Sequence, residues 1–314
     1  MTAPRPPGCA RGLSSGPARA YAGGMFGLLV IHKPAGPTSH DVVAGLRRRL
    51  GGGVKVGHAG TLDPFADGVL VVCVGAATRL ASYVQAQPKR YRAVLRLGAT
   101  SSTDDREGEI APTPGAAGPD EPAVRGALGR FVGTIEQVPP AHSAVHVDGR
   151  RAYKLARAGE PLDLPPRTVS VHSIDLLRYA YPRVSIDVRC AAGTYIRALA
   201  RDIGSALGVG AYCEQLTRTA VGDFRIEDAL RPEDLDPPRH LLPPLAAVGH
   251  LPRVTATAAQ AARVKHGNSV VLSGEIAPGE VAVIDSEGNL LAIAEVRGEG
   301  KTLRPRRVFV QPGG

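Results

Sequence analysis

Residues 56–75, VGHAGTLDPFADGVLVVCVG, decide the reading of this chain. The first half is a glycine-rich loop with one histidine, His58, and one acid, Asp63, directly before Pro64. Asp–Pro is a turn former: proline presets φ at the second turn position, and the aspartate side chain bonds nearby backbone. The second half, VLVVCVG, is a continuous apolar run rich in β-branched residues, the pattern of a buried strand. Gly57, Gly60 and Gly68 allow close approach to the backbone. A lone carboxylate on such a bend, with a polar donor beside it and a rigid apolar strand behind it, meets the requirements of a nucleophile or general base.

Working outward, FGLLVIHKP from Phe26 predicts a short buried strand ended by Pro34. GPTSHDVVAGLRRRL predicts a helix capped by Thr38 or Ser39, with Val42, Leu46 and Leu50 on one face and Arg47, Arg48 and Arg49 riding on it. KRYRAVLRLG alternates as a half-buried strand: Tyr91, Ala93, Leu95 and Leu97 share one face, and Arg90, Arg92 and Arg96 the other. APTPGAAGPDEP reads as a surface linker, AVRGALGRF as a short helix, and VPPAHSAVHVDGRRAYKLARAG as a loop and strand leading into a basic helix. In RVSIDVRCAAGTYIRALARDIGSALG, Val184, Ile186, Val188 and Cys190 alternate as a strand that Gly193 breaks. Thr194 then caps a helix with an apolar stripe of Ile196, Leu199, Ala200, Ile203 and Leu207. That puts Tyr195 and Arg197 in its first turn, where a cation opposes the helix dipole, so Arg197 calls for an anionic partner. The proline-rich DPPRHLLPPLAAVGHLP reads as a domain boundary. Beyond it, VAVIDSEGNLLAIAEV predicts a hairpin turning at Glu287, Gly288 and Asn289, and KTLRPRRVFV a basic final strand.

Composition excludes several classes. No apolar run reaches the roughly 18 residues of a membrane span, and the first 24 residues lack a secretory-signal core and read as a disordered extension, with Met25 an alternative start. Cys9, Cys73, Cys190 and Cys213 form no C-x-x-C pair, which fits a reducing cytoplasm and points to neither a zinc site nor a dithiol. Gly52 and Gly57 have P-loop spacing, yet His58 and Ala59 follow where Lys and Ser/Thr are needed. His142 and His146 are four apart, but the segment looks extended and has no third ligand. The net charge of +9 suits a polyanionic partner. It equally suits an Arg-rich genomic composition, so it supports other arguments without carrying one.

The wider pattern resembles the bacterial tRNA pseudouridine synthases that isomerise the uridine of the TΨC loop, tRNA position 55. GHAGTLDPFADGVLVVCVGAATRL resembles the family's signature, LLVIHKPAGPTSHDVV its Lys-Pro motif, KRYRAVLRLGATSSTDDREG its tyrosine motif and QVPPAHSAVHVDGRRAYKLARAG its Val-Pro-Pro segment. CAAGTYIRALARDIG and LTRTAVGDF resemble the remaining two motifs, all in the family's order from Phe26 to Phe224.

The resemblance implies an α+β fold: a catalytic domain over residues 25–248 on a mixed, mostly antiparallel sheet. A thumb-like insertion at about 138–160 and a β-rich, PUA-like RNA-binding domain at 252–314 complete it. It implies a cytoplasmic, monomeric enzyme acting on the tRNA T-arm with no metal, nucleotide or other cofactor, because substrate and product are isomers. By the same resemblance Asp63 is the essential catalytic residue and Arg197 its partner. Tyr91 stacks on the flipped base and Tyr195 sits near C5, while His58 contacts the RNA and Leu216 lines the base pocket. Lys33 joins the substrate-binding set, largely as support for the catalytic loop. Arg150, Arg151, Lys154 and Arg157 become phosphate contacts of the thumb. The chain departs from the family at His32 (usually Asp), Asp67 (Thr or Ser), Arg79 (Lys), His142 (Tyr) and His146 (Lys).

Overall fold

The computed structural model describes residues 25–51, 53–115, 118–143, 146–147, 150–151, 164–272, 274–298 and 300–309. The extension over residues 1–24 lies outside them. The chain opens with β1 (Gly27–Lys33), α1 (Ser39–Leu50), β2 (Val56–His58) and β3 (Asp67–Val74). It continues through α2 (Ala81–Ala86), β4 (Lys89–Leu97), β5 (Ala99–Ser101), β6 (Ile110–Pro112), α3 (Glu121–Gly129) and β7 (Gly133–Gln137). A small hairpin, β8 (His146–Val147) and β9 (Arg150–Arg151), precedes β10 (Arg167–Ala180), β11 (Arg183–Cys190), α4 (Ile196–Ala206), β12 (Ala211–Val221) and β13 (Phe224–Arg225).

One nine-stranded sheet runs in the order β1-β3-β12-β4-β11-β10-β7, with β2 on β3 and β13 on β12. Its pairings are antiparallel except for β3 with β12, so the expected mixed, mostly antiparallel sheet is present. β1 and β3 are buried on both faces, as their unbroken apolar runs require. Leu28, Val30, Val69 and Val71 face one cluster, while Leu29, Ile31, Leu70 and Val72 face another with Val42, Val43 and Leu46 of α1. Thr38 caps α1, and Asp41 completes a capping box. The inward residues of β4 and β11 pack against Ile196, Leu199, Ala200 and Ile203 of α4.

Several expectations shift. The α4 cap is Tyr195, and it makes no side-chain cap bond; the Thr194 hydroxyl donates instead to the Ala191 carbonyl at 3.2 Å. Part of the supposed linker after β4 pairs as β6 on β5. The long β10, whose inner positions are only intermittently apolar, carried no usable alternation. Within the proline-rich stretch, Leu242 exchanges backbone hydrogen bonds with Leu28 along the edge of β1, and Ala247 and Val248 are fully buried. Across the outer face of β4, Arg90 and Arg92 meet the buried Asp187, and Arg96 meets Glu214.

A five-stranded C-terminal sheet comprises β14 (Arg253–Thr255), β15 (Val270–Val271), β16 (Gly279–Ile284), β17 (Leu290–Arg297) and β18 (Thr302–Val308), with α5 (Ala258–Lys265) between β14 and β15. The β16–β17 turn is held by Asp285, whose Oδ1 accepts from Glu287 N and Asn289 N. The sheet shares an apolar cluster with the N-terminal region, including Phe309 stacked on Phe26 at 5.7 Å.

The β3–β12 junction matters for the site because it puts Arg218 beside Gly68. Gly68 has φ 110°, and a Cβ there would lie 2.3 Å from the Arg218 carbonyl oxygen. Gly68→Ala is therefore expected to cost about 3 kcal/mol or more through strain and strand separation, measured as a fall in urea midpoint. Gly36→Ala is the control. It has the same φ with open space around it and should cost only the conformational part, about 1 kcal/mol.

Candidate active site

The bend between β2 and β3 is a turn over residues 63–66, closed by Ala66 N donating to Asp63 O at 3.2 Å. Proline at its second position suits this geometry. The turn is braced from below. Lys33, fully buried at the end of β1, donates from Nζ to the carbonyls of Pro34 and Pro37 at 2.8 Å and of Pro64 at 3.3 Å. Ser39 at the start of α1 exchanges two hydrogen bonds with Leu62, donating from Oγ at 3.0 Å and accepting Leu62 N at 2.9 Å. From β12 the buried Arg218 donates to Val69 O, Thr61 O and Gly60 O. The backbone on both sides of Asp63 is thus held by buried groups, while the Asp63 side chain keeps a third of its surface exposed.

Among the described residues, the carboxylate's cationic partner is Arg197. Arg197 Nη2 donates to Asp63 Oδ1 at 3.2 Å, and Nε lies 2.9 Å from Oδ2. Arg197 is itself buried, in the first turn of α4, and its remaining donors are used: Nη1 reaches Thr103 O at 3.0 Å and Asp105 Oδ2 at 3.1 Å, and Nη2 also reaches His142 O at 2.9 Å. Asp105 is buried in the turn between β5 and β6, and its other oxygen accepts from Thr103 Oγ1 and Glu107 N. One guanidinium thus bridges two carboxylates, one sealed and one open. A planar fork with five donors can do this where a lysine could not.

Around this pair stand most of the residues singled out above. Tyr91 on β4 is buried beside Leu62, Phe65 and Leu216. Burial raises its hydroxyl pKa, with Arg218 in hydrogen-bond reach. Leu216 lies two residues before Arg218 on β12, opposite Ala93. Tyr195 is partly buried, and burial raises its hydroxyl too, so it is a neutral phenol at pH 7. His58 on β2 is lowered by burial and by the Arg218 charge, which keeps it a neutral imidazole.

All three Lys33 hydrogens are spent on carbonyls in a closed space, an arrangement that braces the loop. Lys154 and Arg157 lie outside the described residues, and of Arg150 and Arg151 only the backbone, as β9, is described. Three participants were missed: Asp105, Arg218 and Gln137. The signals were present, as a paired Asp-Asp in a Ser/Thr-rich turn, a lone arginine at an inward position of an apolar strand, and a glutamine ahead of Val-Pro-Pro.

The departures at positions 32 and 67 form a pair, with His32 Nε2 3.6 Å from Asp67 Oδ2. Both line a hollow with Pro34, Ala35, Arg231, Pro232 and Glu233 that excludes the Asp63–Arg197 cluster. Among the described residues no group of acids, histidines and cysteines is arranged to hold a metal, and no helix is long and apolar enough to cross a membrane.

The role of Lys33 has a pH signature. Burial lowers its pKa from 10.5 to about 8, with Asp67 and Asp63 opposing the shift. Between pH 8 and 10.5 the unfolded chain therefore holds this proton more tightly than the folded one, so unfolding free energy rises with pH, by at most about 1.4 kcal/mol per pH unit. The neutral amine has only two hydrogens for three carbonyls, so the Asp63 turn loosens over the same window. The expected result is stability rising while activity falls. Lys33→Met should lose the fall in activity and the Lys33 share of the stability rise, keeping the share of Lys89, which burial also lowers to about 8, as read by urea unfolding and single-turnover rates from pH 7 to 10.

Comparison with known proteins gives matches along most of the chain. Residues 47–196 match the TruB family pseudouridylate synthase N-terminal domain. Residues 197–238 match the tRNA pseudouridylate synthase B C-terminal domain, and residues 252–309 the C-terminal region of pseudouridine synthase II TruB. The chain is 45% identical over 280 residues to the tRNA pseudouridine synthase B of Thermobifida fusca, covering 86% of this chain and 94% of that protein. It is 42% identical over 289 residues to that of Thiobacillus denitrificans, covering 90% and 95%. Among solved structures, an H/ACA RNP bound to a substrate RNA containing 2′-deoxyuridine contains a chain that superposes with TM-score 0.69 at 27% identity, over 91% of this chain and 85% of that one. A Cbf5-Nop10-Gar1 complex gives TM-score 0.69 at 28% identity over the same shares.

Proposed function

Because the chain belongs to the TruB family of pseudouridylate synthases, we propose that it converts the uridine at position 55 in the TΨC loop of tRNA to pseudouridine, with Asp63 as the essential group. The observation that carries this reading is the Asp63 carboxylate: open on one side, immobilised on a braced turn, and paired with a buried arginine. In the reaction the C1′–N1 bond breaks, the base turns, and C1′ rejoins it at C5. C5 loses a proton and N1 gains one, so no redox or group-transfer partner is needed. Asp63 acts on the sugar, either as nucleophile at C1′ or as the base that takes a ribose proton to leave a glycal. Both roles require an ionised acid, and Arg197 is the cation paired with it.

The target uridine must leave its stack, at a cost of a few kcal/mol. Stacking on Tyr91 offsets part of that, at about 1–3 kcal/mol per base. Leu216, Leu62 and Phe65 supply the apolar surroundings, and Tyr195 faces the reacting edge. His58, neutral and with Nδ1 buried, suits contact with RNA next to the extruded nucleotide. The positively charged thumb segment, with Arg150, Arg151, Lys154 and Arg157, holds phosphates. In the C-terminal sheet, Arg306 is paired to Glu295, and Arg307 lies over Tyr83 and reaches the Arg79 carbonyl.

The test is release of tritium from 5-³H-uridine tRNA transcript. Stoichiometric release, abolished when position 55 is cytidine, is expected. Binding without release would leave a tRNA-binding factor, and release from an rRNA fragment but not from a T-arm minihelix would move the target.

A further inference from the structure

We propose that Gln137 is a positioning residue for Tyr195, setting where that ring meets the base during the C5 step; the inference rests on the reading of the site just given. Gln137 is the last residue of β7 and is 1% exposed. Its Oε1 accepts from Tyr195 N at 2.8 Å, and its Nε2 donates to Tyr195 O at 3.1 Å, across 58 residues of sequence. One carboxamide thus engages both backbone groups of Tyr195, as a neighbouring strand would. A buried amide that lost either bond would strand a polar group, so its orientation is set.

The placement has a consequence for the helix. Tyr195 is extended (φ −100°, ψ 111°) at the N-cap of α4, which has no side-chain cap. Its backbone is held from outside the helix, by Gln137. Residues 138–142 follow along the same helix: Arg201 Nη2 donates to Val138 O at 2.9 Å, and Arg197 Nη2 to His142 O at 2.9 Å. The base of the thumb is therefore seated on the first turns of α4, and Gln137 is where it grips the tyrosine and not the arginines.

The experiment compares wild type, Gln137→Met, Gln137→Glu, Tyr195→Phe and the Gln137→Met/Tyr195→Phe double variant on full-length tRNA transcript made with 5-¹H- or 5-²H-uridine. Gln137→Met keeps the volume and removes both bonds; Gln137→Glu keeps the acceptor. We expect Gln137→Met to lower the single-turnover rate about 10–100-fold, the scale of a small misplacement of a reacting group, with tRNA affinity unchanged. A 5-²H isotope effect should appear in it as in Tyr195→Phe, Gln137→Glu should fall between, and the double variant should be no slower than Tyr195→Phe. A rate equal to wild type, losses that add in the double variant, or a lowered Tm with no isotope effect would overturn the assignment. If Gln137→Met does not fold, the same criteria apply to Gln137→Glu. A wild type that does not isomerise uridine would instead sink the reading of the site.

Discussion

Asp63→Asn should lose turnover by about four orders of magnitude or more, the scale seen when a nucleophile or its base is removed, while its affinity for tRNA stays within about threefold. The amide keeps the shape of the side chain and the turn, because Lys33, Ser39 and Arg218 hold that turn through backbone and not through the carboxylate. It cannot act as a base or as a nucleophile at C1′. Arg197 retains Asp105, so its charge is still compensated and folding is little changed. Filter binding and single-turnover tritium release on one preparation separate the two effects. Residual turnover above about a hundredth of wild type would mean that another group does the chemistry.

Arg197→Met is expected to damage both stability and activity. It leaves Asp105, 4% exposed, and Asp63 without a cation. Breaking a buried pair by removing one partner costs about 3–5 kcal/mol, because a buried charge is left uncompensated. Arg197→Lys should recover little: a single ammonium cannot span both carboxylates and the carbonyls of Thr103 and His142. The decisive comparison adds Asp105→Asn to Arg197→Met. Removing the stranded charge should restore a large part of the lost stability without restoring turnover. If activity returned along with stability, Arg197 would be a folding element only.

Much of the site was legible because the chemistry was written in short segments. The Asp-Pro turn, the apolar strand after it, the alternation of β4 and the stripe of α4 each arise from neighbouring residues, whose periods of two or 3.6 set which side chains share a face. The need of Arg197 for an anion was legible too, since a cation in a helix's first turn is unfavourable there. Asp105 was not. Nothing local distinguishes it from Asp104, and in the fold one aspartate faces Arg197 and the other Arg201. A supporting role for Lys33 was expected, but a sequence does not show which carbonyls, those of Pro34, Pro37 and Pro64, close over it. The Thr194 cap was a sound local expectation, but in the fold its hydroxyl donates to the Ala191 carbonyl and Tyr195 takes the cap position.

By itself the sequence determined the parts: a rigid carboxylate-bearing bend, two tyrosines, an arginine at a helix start and a β-rich C-terminal region, together with the family they resemble, which implied the mixed sheet. Only the tertiary structure decided the partnerships. Asp63 and Arg197 are 134 residues apart, and Asp105 and Arg197 92 apart. They meet because β12 enters the sheet between β3 and β4, parallel to the first and antiparallel to the second. Strand order depends on which long-range pairings bury the most apolar surface and satisfy the most backbone, a property of the whole chain that no single segment encodes.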